Sequence, residues 1–358
     1  MTVFWPRLYE EKAFKSAPAL WELADAHVPL ADVQVAQPPE PMVLSGLREQ
    51  DGLVLLVGPS GSGKSSVLAH AAECLGNEAA EDGRRYLPLF VPVAPRAADA
   101  RSVEGFGRVV MFELLTALRD SLPPVTRHKV ERALSQHVTV EKTPTRFNAK
   151  LTGKVFGVGG EAGVAFAEEV VSVSGNTELD NRGGVKTLGD IARSRGFEIV
   201  VLVEDTDAWA NMPGGDSQAA AFIAVLQTLS RDTDLAMGIA IQNRWATGSR
   251  FDELAQRAVT VARMPEISAL APAKRLITAI IDRRANRVID PEELPNPSDS
   301  LFTDHALGSL AQDLLTAGSV RSPLAWLRDA LDHFSDSLPE RIERDHLVEA
   351  LAHRIPPA

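Results

Sequence analysis

The densest chemistry in the chain lies in Gly58-Pro59-Ser60-Gly61-Ser62-Gly63-Lys64-Ser65. An apolar run, Leu53-Val54-Leu55-Leu56-Val57, stands directly before it, and a helix-like run from Ser66 to Leu75 follows. Strand, glycine-rich turn and helix in that order is the layout of a phosphate-binding loop. Glycines let the backbone curl until successive N–H groups face one anion, and the positive end of the helix dipole adds to that field. An ammonium at Lys64 is placed to reach β- and γ-phosphates, and a hydroxyl at Ser65 to bind Mg2+. Gly58 through Ser66 are therefore the candidate nucleotide-binding residues. The bland alternative is a chance Gly/Ser turn between a strand and a helix.

A second set closes another apolar run, Phe197-Glu198-Ile199-Val200-Val201-Leu202-Val203, which continues as Glu204-Asp205-Thr206-Asp207. A near-continuous apolar run suits a strand buried on both faces at the centre of a parallel sheet. Beside a phosphate loop, acidic groups at such a strand tip hold Mg2+ and orient the attacking water. Glu204 and Asp205 are thus candidate metal and catalytic residues, with Ser65 as the third metal ligand. Leu235 to Ile241 reads as a further strand ending in Gln242-Asn243-Arg244. An amide there, Asn243 by preference, is placed to touch a γ-phosphate or position water, although Asn is also a common turn residue.

These groups need a frame. Tyr86 to Val93 reads as a strand whose prolines push it toward a sheet edge, and Val259 to Ala262 as a last short strand. Helical spacing appears over Glu104–Leu122, Val125–His137, Val185–Arg195 and Ala219–Ser230, with a short helix or turn over Phe251–Ala258. Five strands alternating with helices predict an α/β fold with a parallel sheet covered on both faces. Residues 141–182 are glycine-dense around Lys150 to Gly160, then β-branched and small from Ala162 to Ser174, which suggests a hairpin or a mobile loop. From Pro272 onward only helices are expected, over Ala273–Arg287, Thr303–Thr316, Ser322–Phe334 and Arg344–Arg354. The division expected is an N-terminal adaptor over 1–50, an α/β core over 51–265 and a helical lid over 266–358. In the adaptor, Ala17–Ala26 reads as a short helix broken by Gln37 to Pro41, with Met42 to Arg48 close enough to line an adenine pocket.

Composition bounds the function. At 358 residues, 45% hydrophobic and 24% charged, the chain has the make-up of an ordinary globular protein. No apolar run reaches membrane-span length, and Glu10, Glu11, Lys12 and Lys15 leave no signal-peptide core near the start, so a cytoplasmic protein away from membranes is expected. The lone cysteine, Cys74, excludes an internal disulfide and a Cys-based zinc site and reads as a small buried hydrophobe. The eight histidines lack metal-ligand spacing. A net charge of −11 weighs against sequence-independent nucleic-acid binding by the whole surface.

Taken together the arrangement resembles the AAA+ ATPases, in their origin-initiator-like branch, and the related STAND signalling ATPases, from about Met42 to Leu351. Gly58 to Ser65 matches the Walker A loop. Ile199 to Asp205 matches the Walker B strand, with Asp207 and Trp209 continuing an acidic turn, and Gln242 or Asn243 falls where the sensor 1 amide stands. Gly318-Ser319-Val320-Arg321-Ser322-Pro323-Leu324 looks like a sensor 2 turn, which implies Arg321 over the γ-phosphate. The resemblance implies a five-stranded parallel core with an all-α lid, ATP and Mg2+ as cofactors, hydrolysis, and a nucleotide-driven switch in a homo-oligomer or with a protein partner. The usual Walker B ending is Asp followed by an acid; here Glu204 precedes Asp205, which points to slow turnover. Arg257, Arg250 and Arg244 compete for the place of a trans-acting arginine. The alternatives are a nucleotide-gated scaffold or signalling protein with little hydrolysis, and a DNA-loading or transposition-regulator ATPase using Lys150, Lys154, Arg182, Lys186, Arg193 and Arg195. No guanine-reading Asn-Lys-x-Asp pattern is present, which favours ATP.

Overall fold

Runs that are apolar at nearly every position have no face to give to water, so they must lie between neighbours. The computed structural model, which describes residues 4–14, 24–49, 52–79, 83–94, 97–121, 128–129, 161–174, 183–204, 206–232, 235–335 and 337–354, arranges them in that way. In chain order the elements are α1 (Phe4–Glu10), α2 (Pro39–Arg48), β1 (Leu53–Gly58), α3 (Lys64–Gly76), β2 (Arg85–Pro92), α4 (Val103–Ser121), α5 (Glu161–Ser174) and α6 (Gly183–Ser194). Then come β3 (Phe197–Glu204), α7 (Gly215–Asp232), β4 (Ala236–Gln242), α8 (Ser249–Ala255) and β5 (Thr260–Arg263). Five further helices follow: α9 (Leu270–Ala285), α10 (Pro297–Leu301), α11 (Asp304–Ala317), α12 (Arg321–His333) and α13 (Arg344–Arg354). Two compact units result: an α/β unit of Glu40–Gly58 and Val67–Arg263, and a helical unit of Met1–Pro39, Pro59–Ser66 and Met264–Ala358.

The α/β unit is built on five strands in the order β2-β3-β4-β1-β5, every pairing parallel. β1 is buried at all positions and runs between β4 and β5, with Leu55 opposite Ile239 and Val261. The apolar run on β3 takes an interior place between β2 and β4, and the proline-bearing β2 takes an edge, both as the sequence predicts. Gly238 on β4 lets other side chains close over the sheet: a Cβ there would come within 2.8 Å of Leu202 and 3.2 Å of Leu47. Phe106, Val110 and Leu114 of α4 and Phe222 and Leu226 of α7 join the strand side chains in one core.

One expectation is overturned. Ala162–Ser174 forms neither a hairpin nor a loop but lies in the helix α5. Phe166, Ala167 and Val170, one helical face, are buried in the α/β core. The β-branched residues of this stretch cost a helix only tenths of a kcal/mol each, whereas burying one phenylalanine returns roughly 1.5–3 kcal/mol. The remainder of the segment, 141–160 and 175–182, lies outside the described residues. So do the helix expected over Val125–His137, apart from 128–129, and that over Ala17–Ala26, apart from 24–26. The proline run 37–41 both ends one segment and opens α2, since Pro is tolerated in a first helical turn.

In the helical unit, side chains from the start of the chain share a core with the C-terminal helices: Trp5, Leu8, Leu30 and Val33 are buried with Leu276, Leu307, Leu310 and Leu327. Trp5 meets Phe302 edge-on at 5.6 Å, and Arg275 Nε donates to Val33 O at 3.1 Å. The Thr303 hydroxyl caps α11 by accepting from Ala306 N at 3.3 Å, and Gly318, at φ 62°, ends it. Trp5→Ala is expected to destabilise this unit by about 3–5 kcal/mol, the cost of emptying a packed indole site. Urea unfolding followed by near-ultraviolet circular dichroism checks it; an unchanged midpoint would mean that the N-terminal stretch is not part of this core.

Candidate nucleotide-binding site

The loop begins where β1 ends at Gly58 and closes where α3 begins at Lys64. Gly61 (φ 74°) and Gly63 (φ 98°) sit in the left-handed region that side-chain-bearing residues avoid. Gly63 is needed for its dihedral alone, because a Cβ there would meet only Met264 Cε at 3.7 Å. Gly61 is needed for space as well: a Cβ would lie 2.0 Å from Ser319 Oγ and 3.4 Å from Arg321 Cδ. Ser62 N donates to Pro59 O at 3.3 Å, and the buried Lys64 folds its Nζ onto the same carbonyl at 2.8 Å. The Ser62 hydroxyl oxygen is shielded from solvent and has no hydrogen-bond partner among the described residues. A positive-φ turn at a helix start, a lysine and a spare shielded hydroxyl are the donors a polyphosphate requires, so the residues present fit a nucleotide. Ser65, a hard oxygen donor, fits Mg2+.

Two other segments of the helical unit touch this loop. Val320 N donates to Gly61 O at 3.1 Å, and Arg321 N to Ser319 Oγ at 3.2 Å. Arg321 is exposed and is the first residue of α12, so the turn singled out in the sequence stands against the loop. From the opposite end of the chain, buried His27 brings Nδ1 to 2.9 Å from Ser66 Oγ. Nothing local in the sequence marks His27.

At the sheet, parallel strands deliver their C-terminal ends to one edge. β3 ends there in half-buried Glu204, whose carbonyl accepts from Val93 N at 3.3 Å; Asp205 lies outside the described residues. β4 ends in Gln242, in register with Gly58, and its Oε1 is shielded with no hydrogen-bond partner among the described residues. Asn243 is exposed and opens a short 3-10 turn. Thr206 Oγ1 donates to Ala240 O at 2.8 Å, and Trp209 packs on Phe222 at 5.4 Å and Trp245 at 6.2 Å, so the turn is anchored on either side of Asp207.

The competing arginines separate by their partners. Arg244 pairs with Asp216 at 2.7 Å and lies 4.8 Å over the Trp245 ring. The Trp245 Nε1 hydrogen bond (2.8 Å), and then Arg244, hold the Asp216 carboxyl below its ordinary range. Arg257 Nη1 donates to Gln227 O at 3.2 Å. Arg250 is exposed, has no side-chain partner among the described residues, and lines an open cleft of about 630 Å³ with Asp216, Arg244 and Trp245. Cys74 is half-buried; burial, with Glu78 and Glu73 nearby, pushes its thiol up and away from nucleophilic use. Among the described residues no helix is long and apolar enough to cross a membrane.

No family model and no curated protein matches the sequence. Solved structures do. The Aeropyrum pernix ORC1 protein, solved in complex with DNA, is similar with a TM-score of 0.50 and 16% identity over 94% of this chain and 69% of that one. The Aeropyrum pernix ORC2 protein, in ADPNP–ADP complexes, scores 0.45 at 12% identity, covering 88% and 64% respectively. Drosophila ORC bound to DNA scores 0.41 at 15% identity, covering 96% and 68%. The chain has the five-stranded AAA+ fold with a helical C-terminal region that it shares with the archaeal ORC1 protein.

Proposed function

We propose that the chain binds ATP with Mg2+ at the Gly58–Ser66 loop and hydrolyses it slowly, as a nucleotide-driven switch. The observation that carries this reading is the loop itself, with Gly61 and Gly63 at positive φ between a fully buried strand and a helix that starts at Lys64. Main-chain N–H groups of the loop and Lys64 would bind the phosphates, Lys64 exchanging the Pro59 carbonyl for them. Ser65, Glu204 and Asp205 would hold Mg2+, which supplies charge neutralisation at the transferring phosphoryl group when bound. Asp205 would orient the attacking water. Of the two amides, Gln242 is favoured over Asn243 for contact with the γ-phosphate or water, by its register opposite Gly58 and its shielded oxygen. Arg321 would meet the γ-phosphate from the turn that already touches Gly61. Glu204 in the metal slot and the shorter Asp205 in the base slot favour slow turnover, which suits a switch better than a motor.

Assembly with a second copy would draw on Arg250, exposed and without a side-chain partner among the described residues, where Arg244 and Arg257 are engaged. DNA engagement, suggested by the DNA complex of the archaeal ORC1 protein, has less support. Of the basic residues considered for it, Arg193 and Arg195 are ion-paired to Glu198 and Glu169, Lys186 is exposed, and Lys150, Lys154 and Arg182 lie outside the described residues.

Lys64→Ala is expected to abolish ATP binding in calorimetric titration, and undiminished binding would sink the proposal. Asp205→Ala should retain ATP while phosphate release falls about 10²–10³-fold, the usual loss for one transition-state contact. Arg250→Ala should lower phosphate release only at protein concentrations where sedimentation shows self-association; an equal loss in the monomer would exclude a role in trans.

A further inference from the structure

Ser66, at the first turn of α3, is reached by a buried imidazole from a segment 39 residues earlier. The His27 Nδ1 to Ser66 Oγ distance is 2.9 Å, and His27 is only 5% exposed. The segment that carries the ring is tied down independently. His27 N donates to Ala24 O at 3.2 Å, Leu30 and Val33 lie in the helical core, and Arg275 Nε holds the Val33 carbonyl at 3.1 Å. The imidazole is therefore presented to Ser66 by a fixed support and not by a swinging terminus.

A serine hydroxyl has one proton to give and two lone pairs with which to accept. A neutral imidazole carries its proton on Nδ1 or on Nε2. If Nδ1 accepts, the Ser66 proton is spent on the ring. If Nδ1 carries the proton, it donates to Ser66 Oγ, and the serine proton can turn to a different acceptor. Phosphate oxygens only accept. A phosphate beside Ser66 therefore selects a ring that carries a proton on Nδ1.

We infer that His27 is a positioning residue of the nucleotide site: it holds the Ser66 hydroxyl and supplies the Nδ1–H that turns the serine proton toward a phosphate oxygen. The inference rests on the proposed nucleotide-binding reading and deepens it, because it makes a residue of the N-terminal segment part of phosphate recognition. His27 itself touches no phosphate; its effect passes through Ser66.

The test is calorimetric titration of the full chain with ATP for wild type, Ser66→Ala, His27→Ala, the double variant, His27→Asn and Lys64→Ala. Each of the first two substitutions should weaken binding about tenfold, the scale of one hydrogen bond to a charged group. The double variant should bind no more weakly than Ser66→Ala alone, since the histidine has nothing to position once the hydroxyl is gone. His27→Asn, whose amide N–H can donate, should recover most of the affinity. In the unmutated protein the ¹⁵N resonance of His27 Nδ1 should lie at the N–H position on saturation with ATP, a readout that does not depend on any variant folding well. Unchanged affinity in His27→Ala, additive losses in the double variant, or an Nδ1 resonance that stays at the acceptor position would each overturn the inference. Those failures leave the nucleotide reading standing as long as Lys64→Ala abolishes binding; if Lys64→Ala binds like wild type, the nucleotide reading itself falls.

Discussion

A strand buried at every position hands the chain to a helix across Pro59 to Gly63. Two of the five bridging residues must enter the left-handed region, where a side chain costs roughly 1–2 kcal/mol each. Glycine removes that cost at 61 and 63, and at 61 it also leaves the volume that Ser319 occupies. The register of Lys64, Ser65 and Ser66 on the first turn of the helix follows from this geometry. Gly58 leaves the sheet beside Gln242 by the register of β1 on β4.

Within the helical unit two other segments meet that loop, Val320 at the Gly61 carbonyl and His27 at the Ser66 hydroxyl. A neutral hydrogen bond is worth about 0.5–1.5 kcal/mol net, so neither contact is strong enough to lock the loop against a charged ligand. Both are strong enough to shift an equilibrium severalfold. Small, exchangeable contacts of this kind make a segment responsive to what the loop holds, whereas a buried ion pair at the same place would make it indifferent. Lys64 obeys the same economy, resting on Pro59 O at 2.8 Å, a partner that belongs to the loop and is easily surrendered.

Much of the fold was legible because its signals are local. Leu53–Val57 and Phe197–Val203 cannot face water, and Pro88 cannot sit in a central ladder, so these residues alone constrain the strand order. Over 162–174 a glycine-dense lead and β-branched residues suggest a hairpin or a loop, while the burial of Phe166, Ala167 and Val170 decides for a helix, and that burial depends on α4. The place of Trp5 and Leu8 among the C-terminal helices was illegible for a related reason: contacts across some 300 residues leave no periodicity to read. In the candidate site, the phosphate loop was plain from spacing. The partnership of His27 with Ser66 was not, since one histidine among eight carries no mark of what it will face. The choice between Gln242 and Asn243 likewise turns on strand register, which sequence spacing does not supply.

The net charge of −11 looks at first like a poor setting for a polyanionic ligand. Range decides otherwise. At physiological salt a surface charge is screened beyond about 8 Å, while loop amides, a helix terminus and a buried lysine act at hydrogen-bond distance in a partly desolvated cradle. A phosphate therefore experiences the loop and not the surface average. Duplex DNA is the converse case, because its affinity comes from many phosphate contacts summed along a face, each needing a cation that is free to pair. Arg193 and Arg195 are already answered by Glu198 and Glu169, and Arg244 by Asp216. Acidic partners thus occupy several of the described cations that a broad nucleic-acid surface would have to use.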